Sequence, residues 1–256
     1  MKTLILALLV TFSGSVLAAG GNVKLDKANI NPENEESLQN GFKYFNNYCL
    51  SCHSLAYSRY NRVAKDLNIP EALVEENIIF TRDEKGETSK IGSLMKTSMP
   101  KLYANQAFGT APPDLTLSGR VRSADWLYTY LRGFYLDDSR PFGVNNTVFP
   151  DVGMPHVLWE LQGWLAKAQE HHDAAGHAET GHDTKAAESG MSIVEPGSMT
   201  PAEYDHAARD LVNFMMYVAE PAKQKRKSLG IPVLLFVLLF TVLAYFMKKN
   251  YWKDVH

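Results

Sequence analysis

The sequence predicts a mainly α-helical exported domain with long irregular loops, tied to a membrane by one C-terminal helix. Three observations carry that reading: an apolar leader, a long uncharged run near the other end, and two stretches with apolar residues at helical spacing. The 256 residues are 45% apolar and 21% charged, an ordinary globular balance. It excludes a wholly disordered or collagenous chain and one with many membrane passes.

Residues 1–19 have the order of a secretory signal. Lys2 precedes an apolar run from Leu4 to Val10, and small residues end at Val16-Leu17-Ala18-Ala19, with cleavage expected near Ala18 or Ala19. A mitochondrial presequence is rich in arginine, whereas the first arginine here is Arg59. Bacterial export is the better reading.

At the other end, Leu229 to Met247 hold no charge. About 20 apolar residues span a bilayer, and a buried core helix would show one polar face, which this run lacks. A transmembrane anchor over 229–247 follows. Lys223, Lys225, Arg226 and Lys227 precede it and Lys248, Lys249 and Lys253 follow it, so flanking charge does not choose an orientation. The leader does: residues 20–222 are expected in the periplasm and 248–256 in the cytoplasm, making this a single-pass protein of the bacterial inner membrane.

The net charge of −2 hides a segregation, because residues 20–222 carry 18 Lys and Arg against 27 Asp and Glu, a balance of −9. An acidic exported body is no nucleic-acid binder. It suits a basic soluble partner, with an attraction that fades as salt rises.

Both cysteines fall in Cys49-Leu50-Ser51-Cys52-His53, the pattern for covalent attachment of c-type haem. One turn of chain presents two sulfurs to the two vinyl groups and delivers His53 to the iron as an axial ligand. A disulfide across so short a loop stabilises little. A thioredoxin-like pair needs a βαβ frame, and a zinc finger needs a second ligand pair that the sequence lacks.

Leu38, Phe42, Phe45 and Cys49 make a helical stripe leading into this motif. A second helix opens at Thr200-Pro201-Ala202-Glu203, a capping box with proline in first position. Its stripe is Tyr204, Ala208, Leu211, Met215 and Val218, and Pro221 ends it. Small cytochromes c cross their first and last helices closely, and Gly41 is the analogous point of approach here.

A methionine opposite the histidine suits an electron carrier, whereas an open iron suits gas or peroxide chemistry. Met215 and Met216 belong to the last helix, Met191 and Met199 border a low-complexity stretch, and Met95 follows a charged patch. Met99 and Met154, each followed by proline, remain, and spacing does not choose between them.

Several further pieces stand in order: Asn40-Gly41-Phe42, Tyr48 through Leu55, Ala111-Pro112-Pro113-Asp114-Leu115, Arg120-Val121-Arg122, Phe149-Pro150, Gly153-Met154-Pro155 and Val218-Ala219-Glu220-Pro221. With the tail anchor they resemble the cytochrome c1 family, the membrane-bound haem subunits of the ubiquinol–cytochrome c reductase (cytochrome bc1) complex. The resemblance covers most of residues 38–247. It implies a cytochrome c-like haem domain with one covalent haem c, and iron ligated by His53 and Met154. It also implies an arginine on a haem propionate, Arg122 in preference to Arg120, with Trp126 nearby. Unpaired propionates in a cleft are costly, and guanidinium is suited to pairing them. Pro113, or Pro112 beside it, would offer its carbonyl to the ring N–H of His53.

The resemblance further implies cytochrome b and Rieske iron–sulfur subunits as partners and a soluble cytochrome c as electron acceptor. The chain itself would make and break no substrate bond. The rivals are a tethered cytochrome serving another oxidase or dehydrogenase, and a haem sensor or peroxidase with an open iron. Residues 171–190, with His171, His172, His177 and His182, read as a flexible solvated insertion, though a metal-binding tract is a further alternative. Asn145-Asn146-Thr147 matches a glycosylation acceptor, which bacterial exported proteins ordinarily leave bare.

Overall fold

The computed structural model describes residues 23–82, 85–167 and 190–253. The leader (1–19), residues 171–189 of the insertion and the last three residues of the tail lie outside the described residues. The described fold is mainly helical with one long C-terminal helix, as the sequence predicts, and it adds short strand pairs that the sequence does not announce.

Its centre is a crossing of two helices. The first, α1, spans Glu35–Tyr44 and opens on Asn34, whose side chain accepts from Ser37 N at 3.1 Å. Glu35 and Glu36 in the first turn and Lys43 in the last suit the helix dipole. Where the stripe implies an unbroken α-helix to Cys49, the chain widens into a π-helical segment, Phe45–Cys49, closed by Leu50 N on Phe45 O at 3.0 Å. Asn46 accounts for part of this departure: it is buried and donates to Ile78 O at 3.0 Å. A polar side chain thus occupies the core side of the turn, its amide nitrogen paired with a backbone acceptor from elsewhere while its oxygen has no partner among the described residues.

Short elements follow: β1 (Leu55–Arg59), α2 (Tyr60–Asp66), α3 (Glu71–Asn77), β2 (Leu94–Met95), α4 (Lys101–Phe108), α5 (Ser118–Val121) and α6 (Ala124–Arg132). Next come β3 (Phe134–Leu136), β4 (Val144–Asn146), α7 (Trp159–Gln162), β5 (Gly163–Lys167) and β6 (Met191–Pro196). The strands form three antiparallel pairs, β1 with β2, β3 with β4 and β5 with β6. They occupy stretches that the sequence reading left as loop. Met95, which follows a charged patch in the sequence, is fully buried in the core.

Helix α8 (Pro201–Ala219) carries the predicted capping box, and all five residues of its predicted stripe are buried. It crosses α1 at Gly41, where an added Cβ would collide with the Asp210 carbonyl and lie 2.6 Å from the Phe214 Cβ. Only glycine permits that approach. Phe42 and Phe45 pack on Phe214 with ring centroids at 5.4 and 5.9 Å. Burying rings of this size stabilises by about 2–3 kcal/mol each. Ser37 donates to Asp210 at 2.6 Å and accepts from Asn213 at 3.0 Å, a polar seam that sets the register of the two helices.

The segment before α1 is strapped to this pair. Asp125 accepts from Ala28 N and from Lys27, while Arg132 joins Asp26 and Asp205. Helix α9 (Lys223–Tyr251) is longer than the predicted anchor at both ends, since the basic flanks continue the helix. Its 29 residues extend about 43 Å, enough to pass a hydrocarbon layer of about 30 Å and reach both headgroup regions. Its side chains are almost all exposed, so the apolar surface has no protein neighbour among the described residues.

Candidate functional site

Cys49 ends the π-helical segment, and the chain turns back on it: Cys52 N and His53 N both donate to Cys49 O, at 3.1 and 2.8 Å. The three residues of the motif therefore share one turn. The two cysteines form no disulfide; Cys49 is buried and Cys52 half-buried. Burial, with a smaller contribution from Cys52, pushes the Cys49 thiol up to about 12. A pKa raised this way is the opposite of what a nucleophilic or zinc-binding thiolate needs. Among the described residues no three His, Cys, Asp or Glu side chains converge on a metal position.

The ring of His53 is fixed by backbone. Its Nδ1 lies 2.8 Å from Pro113 O, and a carbonyl can only accept, so Nδ1 carries the hydrogen. That tautomer leaves the Nε2 lone pair for a metal. Desolvation lowers the imidazole pKa, opposed by Pro113 and then Asp114, so the ring is disposed to be neutral.

Asp114 explains why Pro113 is there. Its carboxylate accepts from Ala56 N at 2.7 Å and from Thr116 N at 2.9 Å, and Leu115 N donates to Ser54 O at 2.9 Å. The Pro-Pro-Asp-Leu stretch is stapled to the residues just past His53. The two methionines left open by spacing occupy different settings. Met99 follows Thr97, which bonds Ser51 O at 2.6 Å and Ser54 Oγ at 3.0 Å, so it belongs to a strap on the motif itself. Met154 packs with Phe134, Val144 and Val152.

The loop bearing Met154 is organised by two buried asparagines. Asn146 accepts from Val148 N and Phe149 N and donates to Tyr130 O at 2.8 Å. Asn145 accepts from Asp151 N at 2.8 Å and donates to Asp137 at 2.9 Å. The apparent glycosylation acceptor is thus a buried brace. Asp151 sits at φ 61°, a left-handed conformation that this bond supports.

Arg122 and Arg120 part company. Arg122 places its guanidinium 4.5 Å from the Trp126 ring centroid, whereas Arg120 lines a hollow with Met216, Ala219, Glu220 and Lys223, by the start of α9. From Trp126 a column of rings runs inward. Trp126 stacks on Tyr130 at 5.1 Å, Tyr130 meets Phe134 edge-on at 5.3 Å, and Phe134 stacks on His156 at 5.0 Å. His156 is buried, and desolvation lowers its imidazole to about 4.

Sequence reasoning missed Tyr130, Asn145, Asn146 and His156 as parts of this region. Tyr130 lies four residues after Trp126 on α6, a spacing that reads as plain core. His156 follows Met154-Pro155 directly, and its proximity is the one signal that was available.

Residues 29–255 match the Cytochrome C1 family. The chain is 48% identical over 257 residues to "Cytochrome c1" of Allochromatium vinosum, covering 100% of both chains. It is 43% identical over 239 residues to the "Ammonia monooxygenase gamma subunit" of Nitrosomonas europaea, covering 93% of this chain and 92% of that one. To "Cytochrome c1, heme protein, mitochondrial" of Neurospora crassa it is 28% identical over 238 residues, 85% of this chain and 62% of the other.

Proposed function

The chain belongs to the cytochrome c1 family, a membrane-anchored haem c subunit of respiratory electron transport, and on that premise we propose that it passes single electrons from a Rieske iron–sulfur subunit to a soluble cytochrome c. The observation that carries this reading is the single turn holding two cysteines that form no disulfide and an imidazole whose Nδ1 is committed to Pro113 O. Cys49 and Cys52 would hold the porphyrin through thioether bonds, and His53 Nε2 and the Met154 sulfur would hold the iron. Bound there, the haem supplies a one-electron ferric/ferrous couple.

The other residues serve position and access. Arg122 would pair with a haem propionate, a reading supported by its guanidinium lying over Trp126 while Arg120 lines a hollow beside the anchor. The acidic body steers a basic acceptor, and the apolar surface of α9 suits a lipid bilayer with cytochrome b as neighbour. Export by the leader places the body in the periplasm and the tail in the cytoplasm.

Two measurements test this. The reduced visible spectrum of Met154→Leu should lose its low-spin six-coordinate character while Met99→Leu keeps it, and the reverse pattern would move the ligand. Gentle solubilisation of native membranes should yield the chain together with a cytochrome b and an iron–sulfur protein. Isolation with a terminal oxidase instead would favour the tethered-cytochrome rival.

A further inference from the structure

Tyr130 donates its hydroxyl to the Met154 sulfur at 3.3 Å. The ring behind that hydroxyl has little freedom. Trp126 lies nearly parallel to it, 10° between planes, and Phe134 meets it at 73°. Asn146 holds the Tyr130 carbonyl from the other side. Tyr130 also packs against both the main core and the small cluster around Met154, so it joins the α1–α8 body to the methionine loop.

We propose that Tyr130 positions the Met154 sulfur and biases the bound iron toward its ferrous state. The inference rests on Met154 being the axial ligand. A thioether sulfur has two lone pairs, and with one given to a metal the other can accept the phenol proton. That hydrogen bond draws electron density from the sulfur, which weakens donation to ferric iron more than to ferrous. The positive end of the O–H dipole points at the sulfur that would hold the iron, which would disfavour the additional positive charge of the oxidised state. Because the rings clamp the phenol, the dipole keeps its aim without reorganising.

The test uses the full-length haem-loaded protein in its membrane complex, with Tyr130→Phe, Trp126→Phe and Met154→Leu. Tyr130→Phe keeps the ring and removes one oxygen, so it preserves the stack. Redox titration should find its ferric-to-ferrous ratio at fixed ambient potential raised about threefold, the scale of part of one hydrogen bond. The methionine–iron charge-transfer absorption should persist. Trp126→Phe, which leaves the hydroxyl in place but loosens its clamp, should shift the ratio in the same direction and by less. A band in Tyr130→Phe unchanged from the parent in position and intensity would remove the positioning role. An unchanged ratio in Tyr130→Phe, or an equal shift in Trp126→Phe, would overturn the proposal while Met154→Leu still reports the ligand. Retention of the absorption in Met154→Leu would overturn the ligand assignment, and the tyrosine's role with it.

Discussion

The Pro113 carbonyl oxygen sits 2.8 Å from Nδ1 of His53, sixty residues away along the chain, because Asp114 pins that loop to Ala56 N. A hydrogen bond to an ionised carboxylate contributes about 1.5–3 kcal/mol, less where water competes. Asp114→Ala should therefore lower stability by about 1–2 kcal/mol and free the imidazole to rotate. Thermal unfolding followed at the haem absorption, beside the low-spin spectrum at room temperature, measures both. A variant as stable as the parent, with a parental spectrum, would remove Asp114 from this role.

Gly41 meets α8 at backbone, so a methyl there cannot be relieved by a rotamer change. Gly41→Ala should cost about 3 kcal/mol by forcing the helices apart. The denaturant midpoint reads this, with the m-value testing whether the unfolding remains a single transition.

Burial lowers His156 from its ordinary 6.5 to about 4, so the folded protein binds this proton less readily than the unfolded chain. The sign follows: its neutral-ring contribution is whole above pH 6.5 and is lost as pH falls toward about 4, an effect of about 3 kcal/mol. Melting temperatures across that window should fall in the parent and fall less in His156→Phe, which keeps the stack on Phe134 but cannot take a proton.

Asn146 satisfies two backbone N–H groups of the methionine loop from a position 1% exposed to solvent. Asn146→Ala leaves those donors without their acceptor, at a cost of about 2–4 kcal/mol. Amide hydrogen exchange at Val148 and Phe149 should accelerate before that of α8 does. Equal protection in the variant and the parent would show the loop is held by other means.

The parts legible in the sequence share a physical character. The capping box at Thr200, the α8 stripe, the haem motif and the membrane anchor are each written in residues a few positions apart, where helical geometry or bilayer thickness imposes the spacing. Gly41 was recognisable by analogy, since small cytochromes c cross their first and last helices closely. The strand pairs were not legible: Phe134–Leu136 and Val144–Asn146 are three residues each, too short to display alternation. Strands β5 and β6 lie on opposite sides of the insertion, so nothing local announces their pairing.

The sequence by itself determined that this chain is an anchored helical domain carrying an attachment motif for haem, because those properties reside in short-range pattern. Which residues surround that motif was decided by tertiary structure alone. Pro113 reaches His53, Tyr130 reaches Met154, and Arg120 turns away from Arg122 only once packing has brought distant segments together. Hydrogen bonds and ring contacts act over a few ångströms of space, and only the folded chain sets distances on that scale between residues so far apart in order.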